Sequence, residues 1–446
     1  MRVITTDMKH KKYWEEKEYD EINLSEEEME LIYIYPEKKR QEIYGFGGAF
    51  TESSGYCYAQ LSKEEKEKVL NWYFSEEGLQ YNMGRTHINS CDFSLSNYCA
   101  CDDKEDEDFK SFTLKREEQY IFPLIYDAMD KAVQKLPLLL SPWSPPAYMK
   151  TNHSMNGGGK LKENYYGRWA KYIAHYITEM KKREMNVRWL TVQNEPNATQ
   201  VWDSCRYTAK EEATFIREFL GKELENSNLS DVGIYVWDHN KERACKRLEE
   251  ILEVKGTREY VKGVGVHWYS GDHFENIEML RQYYPELDIL FTEGCVEYSK
   301  FDKEDEVKNA ELYAHDMIGN FKSGLNGFLD WNLLLDEQGG PNHVGNYCAA
   351  PIMCKKDWEG VERHLSYYYI GHFSRYVKQG ARVIWLSKYT ANIEGVAFLN
   401  PDGERVVVLL NQTEHSIKTK VGEEKRGTFV ELAPHSIVTI CWGAEK

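Results

Sequence analysis

From residue 43 to about residue 375 the chain alternates between two kinds of segment: short apolar, β-branched runs, and longer stretches rich in Glu and Lys. In the longer stretches apolar residues recur every three or four positions. The first pattern signals strands and the second helices, so the text reads as repeated βα units. Eight strand runs are legible, at 43–50, 82–89, 136–143, 187–193, 232–238, 262–268, 288–292 and 326–334. Eight parallel strands close a barrel, and the expected fold class is therefore α/β, a (β/α)8 TIM barrel. Helical stretches fall between the strands, at 62–75, 163–182, 209–225, 240–253 and 304–323. Ser62, followed three residues later by Glu65, has the form of a capping box.

After about residue 377 the pattern changes to period-two runs at 382–386, 395–400, 405–411, 416–421, 428–432 and 437–442, separated by turn signals such as Pro401-Asp402-Gly403. That is the pattern of an antiparallel β-sandwich. The stretch before Gly45 holds one clear strand at 30–35 and a second near 3–6, which precede the barrel and are placed as added strands on the sandwich. The expected organisation is thus 1–42 as N-terminal strands of a side sandwich built from both termini, 43–376 as the barrel, and 377–446 as the rest of the sandwich. The run Asp102–Asp108 (DDKEDED) is expected to be a solvated loop.

Composition narrows the partners. The 73 acidic residues against 56 Lys and Arg give a net charge of −17, which repels phosphate backbones and anionic lipid headgroups. No nucleic acid and no membrane is expected as a partner, while neutral ligands remain open. The 12 Trp, 31 Tyr and 17 Phe mostly fill the core, and aromatic faces also hold the apolar faces of sugars. The first thirty residues are charged throughout, with no apolar stretch of the length a secretory signal requires, so export is not expected, and no window is long and apolar enough to span a bilayer. The ten cysteines are scattered without a C-x-x-C pair and read as free thiols, so the expected location is cytoplasmic. No H-x-H or H-E-x-x-H spacing exists, and neither metal nor cofactor is expected.

In a barrel of this kind the active site lies at the C-terminal ends of the strands. Those ends are rich in polar and aromatic residues: His87 to Asp92, Ser141 to Ser144, Gln193-Asn194-Glu195, Trp237-Asp238, His267-Trp268-Tyr269, Thr292-Glu293 and Asp330-Trp331-Asn332. Glu195 and Glu293 stand out because each directly follows an apolar run, and desolvating an unpaired carboxylate is expensive. Carried on strands four and seven, they would face each other across the barrel mouth. There, one carboxylate can attack an acetal carbon while the other protonates the leaving oxygen, and retention of configuration requires a separation of about 5–5.5 Å.

The stretches GFGGAFTES (45–53), SCDFS (90–94), SPWSPPAYMKTN (141–152), NGGGKLK (156–162), QNEP (193–196), GVHWYS (265–270), FTEGC (291–295), DWNLLLDEQGGPNHVGN (330–346) and YYYIGHFSRYV (367–377) resemble glycoside hydrolase family 30. That family includes glucosylceramidases, bacterial β-glucosidases and β-1,6-glucanases. The resemblance implies a barrel with a side sandwich, Glu293 as nucleophile and Glu195 as acid/base. It further implies that Asn194 bonds the sugar 2-hydroxyl, that Asp92, Trp143, Trp331 and Asn346 bind the nonreducing sugar, and that His267 and Tyr269 buttress the site as part of the substrate-binding set. In these roles the nucleophile should be ionised and the acid should have its pKa raised by burial and by a negative neighbour.

The expected function is a retaining glycoside hydrolase that cleaves short soluble β-glucosides. Within the same family an endo-β-1,6-glucanase and a β-xylosidase stay open as alternatives, and from another class a noncatalytic sugar-binding barrel. The expected partner is a small carbohydrate, and the sequence leaves the oligomeric state unsettled.

Overall fold

The computed structural model describes residues 1–443. Eight parallel strands close a barrel: Gly45–Ala49, Met83–Ile88, Leu138–Pro142, Val187–Thr191, Gly233–Asn240, Val261–His267, Asp288–Glu293 and Gly327–Asn332, with the eighth pairing back onto the first. All eight expected strand runs are present, within a few residues at each end. The barrel interior is packed. Met83, Leu139, Tyr235, Leu290 and Leu329 form its lower layer, all at most 1% exposed. Gly47 admits this packing, because a Cβ there would stand 1.9 Å from the Met83 carbonyl oxygen.

The helices that cover the barrel follow the 3.6-residue pattern: Lys63–Phe74, Lys115–Lys131, Tyr166–Lys182, Ala244–Leu252 and Glu306–Ser323 among them. The stretch expected as one helix at 209–225 is α-helical at Ala209–Phe215, passes through a π-helical turn at Ile216–Leu220 and ends as Gly221–Asn226. Only half of the expected capping box at Ser62 forms. The Ser62 hydroxyl accepts from the Glu65 N–H at 3.2 Å, but the Glu65 carboxylate turns instead to Lys68 and to the Val361 N–H at 3.0 Å. The Asp102–Asp108 run is a largely exposed loop, and Arg168 donates to the carbonyls of Asp103, Lys104 and Asp106 within it.

The side domain is one ten-stranded sheet folded over its own core of Val3, Ile32, Ile34, Ala397, Val407, Leu409, Val438 and Ile440. Four of its strands come from the N-terminus, so the expectation that both termini build it is met. Two of those four, Lys12–Glu18 and Ile22–Asn23, have no counterpart in the sequence reading. The first reads KYWEEKE and is half exposed along its length. It occupies a sheet edge, where charged side chains are tolerated and no apolar alternation is required. The sheet is also not purely antiparallel, since Leu31–Glu42 runs parallel to Ile417–Glu423.

Candidate active site

Arg85 organises the barrel mouth. It lies in the second barrel strand, fully buried, one layer above the apolar floor. A guanidinium carries five donors in a rigid fork, and here they reach three other strands and the segment that follows Val187–Thr191. Nε donates to the Ser141 hydroxyl at 3.1 Å, Nη1 to Glu293 Oε2 at 2.7 Å and to the Thr292 carbonyl at 3.0 Å, and Nη2 to Asp238 Oδ2 at 2.8 Å and Asn194 Oδ1 at 3.0 Å. The stacked rings of Trp143 and Trp331, 5.3 Å apart, lie against the same guanidinium at 4.8 and 5.6 Å. A buried charge survives only when paired and hydrogen-bonded, and both conditions are met.

Asp238 reaches its place through local backbone geometry. Trp237 and Asp238 both have left-handed backbone, at φ 70° and 49°, and the ladder to the next strand slips by one residue between Trp237 and His239. This is a bulge, and bulges next to active sites re-aim side chains. Gly265 on the neighbouring strand makes room, because a Cβ there would lie 3.0 Å from Asp238 Oδ1 and 3.1 Å from Thr292 Oγ1. Glu195 too has left-handed backbone, at φ 46°. Conformations of this kind cost roughly 1–3 kcal/mol each and cluster where function requires them.

The two glutamates face one cavity of about 390 Å3, lined also by Asp92, Trp143, Asn194, Tyr269, Trp331 and Asn346. One oxygen from each carboxylate and a ring nitrogen of His267 all lie within 4.8 Å of one another. Glu293 Oε1 accepts from the Tyr269 hydroxyl at 3.0 Å. Glu195 Oε1 lies 3.1 Å from His267 Nδ1, and Glu195 Oε2 accepts from Gln200 at 3.4 Å. His267 Nε2 lies 3.1 Å from Asp238 Oδ1, which completes a chain Asp238–His267–Glu195. Asp92 Oδ2 accepts from the Asn346 amide at 3.2 Å.

All nine residues singled out from the sequence are brought together here, and eight of them line the cavity. His267 is the exception: it is fully buried behind Glu195 and touches carboxylates rather than the open space. Trp268, beside it in sequence, packs against Phe291 and Tyr313 in the core. The sequence reading missed Arg85, His239, Gln200 and Trp202, and it gave Asp238 no role. Arg85 carried a usable signal, a lone charge inside the run MGRTHI, to which the desolvation argument made for the glutamates applies equally. His239 carried none, since the bulge that turns it toward the cavity breaks strand alternation. Its Nδ1 accepts from the Asn240 N–H at 2.8 Å, and burial lowers its pKa.

The charges are distributed differently from the expectation. Burial opposes ionisation of both glutamates. For Glu195 the neighbouring histidines His239 and His267 outweigh it and pull the pKa down to about 2, while for Glu293 burial prevails over His267 and Arg85 and the pKa is raised. Burial likewise works against a charged His267, yet Glu293, Asp238 and Glu195 together lift it from 6.5 to about 9. The proton expected on the acid therefore rests on His267, one hydrogen bond away from Glu195. Asp238 sits well below the ordinary carboxylate range despite burial, held there by Arg85 and His267. Burial and the charge of Glu293 push Asp92 well up.

This has a consequence for stability. A histidine whose pKa is raised on folding stabilises fully below its unfolded value and loses that contribution as pH rises through its folded value. The contribution of His267 should be complete below pH 6.5 and fade by about pH 9. Urea midpoints measured between pH 6 and 10 should fall more steeply for the native chain than for His267→Gln; parallel curves would contradict the assignment.

Paired carboxylates beside stacked tryptophans at the mouth of a closed barrel form the arrangement that glycoside hydrolysis requires. The chain belongs to glycosyl hydrolase family 30: residues 43–377 match the family's TIM-barrel domain and residues 380–440 its beta sandwich domain. It is 30% identical over 429 residues to lysosomal acid glucosylceramidase of Mus musculus, covering 92% of this chain and 83% of that protein. Among solved structures it is similar to SrfJ from Salmonella typhimurium, with 40% identity, a TM-score of 0.96, and coverage of 100% of this chain and 99% of that one. It is also similar to the endo-beta1,6-glucanase BT3312, with 27% identity, a TM-score of 0.89 and 99% coverage of each.

Proposed function

We propose that the protein hydrolyses short soluble β-glucosides with retention of configuration, Glu293 acting as nucleophile and Glu195 as acid/base. The observation that carries this reading is the approach of the two carboxylates, with oxygens within 4.8 Å across one cavity. An approach this close supports the retaining geometry, with carboxyl groups about 5–5.5 Å apart, over the inverting one, in which they stand about 6.5–9.5 Å apart to admit a water.

In the first step a Glu293 oxygen attacks the anomeric carbon as the bond to the leaving oxygen breaks, and that oxygen takes a proton from Glu195. The proton reaches Glu195 from His267 along the 3.1 Å hydrogen bond. Substrate that displaces water from the cavity favours this shift, because a neutral acid beside a neutral imidazole is easier to desolvate than an ion pair. The glycosyl ester cancels the charge on Glu293. Glu195, now ionised, takes a proton from water, which attacks the same carbon and releases a β-configured sugar. The one proton shared by His267 and Glu195 and the charge of Arg85 offset two of the three negative charges of Asp238, Glu195 and Glu293, leaving one net negative charge, on Glu293, to stabilise the oxocarbenium-like transition state. Because Arg85 donates to Asn194 Oδ1, the Asn194 amide nitrogen is left as a donor to the sugar 2-hydroxyl.

Support for small substrates comes from the cavity, which at about 390 Å3 lies near the lower end of the roughly 300–1,000 Å3 range of small-molecule sites. A reducing, cytoplasmic setting belongs to the same proposal, supported by ten cysteines held as free thiols. The acid/base role is tested by Glu195→Ala. Activity on a poor leaving group such as methyl β-glucoside should fall by about three orders of magnitude, with a much smaller loss on dinitrophenyl β-glucoside. Azide should restore turnover and yield β-glucosyl azide, read by NMR. Equal losses on both substrates, or an α-azide, would defeat the role.

A further inference from the structure

A second cavity, of about 340 Å3, lies beside the segment that carries Glu195: Asn197, two residues further along, lines it, as does Trp237, whose ring stacks on His239. Its walls carry Lys160, Arg206, Arg243, Lys246 and Arg247 against a single carboxylate, Glu250. That balance is the reverse of a chain with 73 acidic and 56 basic side chains.

Three of the five cations are matched. Lys160 pairs with Glu211 at 2.7 Å, Lys246 with Glu250 at 3.6 Å, and Arg247 with Glu212 at 2.8 Å. Arg206 and Arg243 are exposed, and among the described residues neither makes an ion pair or a side-chain hydrogen bond.

We propose that this cavity is a second ligand site, separate from the one that holds the two glutamates, and that it takes a small phosphorylated sugar. Two unmatched guanidinium groups fit a phosphate dianion, which accepts bidentate hydrogen bonds from Arg; a carboxylate or a sulfate monoester carries one charge and leaves a cation unmatched. A bare phosphate leaves most of the cavity unfilled. The remaining wall includes the Asn197 amide, whose oxygen accepts from Arg247 and whose nitrogen is a donor suited to a sugar hydroxyl.

Calorimetric titration of the full chain at low salt tests this with three probes: glucose 6-phosphate, inorganic phosphate and glucose. Glucose 6-phosphate should bind at least about tenfold more tightly than either of the others. The double variant Arg206→Ala/Arg243→Ala should weaken that binding at least about tenfold while leaving aryl β-glucoside hydrolysis unchanged. Three results would overturn the proposal: inorganic phosphate binding as tightly as the sugar phosphate, binding that is unaltered in the double variant, or binding that is lost when a glucose-shaped inhibitor fills the cavity between the glutamates.

Discussion

Replacing Glu293 by Gln should lower kcat on an aryl β-glucoside by at least about four orders of magnitude, the scale on which removal of a covalent nucleophile is felt. The amide keeps the shape of the side chain and can still accept from Tyr269, but it cannot form the glycosyl ester. Stability should move the other way. Burial already opposes the charge on Glu293 and raises its pKa, so a neutral isostere removes an unfavourable ionisation, and the thermal midpoint should be equal to or above that of the native chain. Sites that store strain for function commonly show this trade. Measured together, kcat and the midpoint separate loss of chemistry from loss of fold: a variant that is inactive because it unfolds would show both falling.

The second large effect is expected at Arg85. Arg85→Met removes one side chain and leaves Asp238, Glu293, Asn194 and Ser141 each without a donor they use. Breaking a buried ion pair from one side costs about 3–5 kcal/mol, because the orphaned charge stays buried. Here two carboxylates are orphaned, so destabilisation should reach at least that range in urea unfolding, accompanied by a fall in kcat. Arg85→Lys keeps the charge but not the fork and should recover only part of both. A loss below about 1 kcal/mol in Arg85→Met, the scale of a surface pair, would show that the guanidinium does not hold the barrel mouth together.

The barrel was legible because its signal is repetitive: eight apolar runs separated by amphipathic stretches determine strand number and order, and the strand ends are then where polar residues become informative. Glu195 and Glu293 were visible for that reason. The supporting network was not, because it depends on geometry that hydropathy does not encode. The Trp237–Asp238 bulge turns Asp238 inward and brings His239 to the cavity, and the pairing of Asp238 with His267 follows from that turn alone. For the same reason the resting proton is expected on Glu195 from the sequence, whereas His267 holds it one hydrogen bond away. In the side domain, strand 12–18 was missed because an edge strand half open to water needs no apolar face.

The proposed reaction passes through a covalent bond between sugar and Glu293, and trapping that bond tests it most directly. Incubation with a 2-deoxy-2-fluoro-β-glucoside bearing a good leaving group, followed by digestion and mass spectrometry of the peptides, should show one added fluoroglucosyl group on the peptide containing FTEGC, at Glu293, with inactivation in step with labelling. Label on another residue, or turnover of the activated glucoside with no adduct at any time and an α-configured first product, would contradict it.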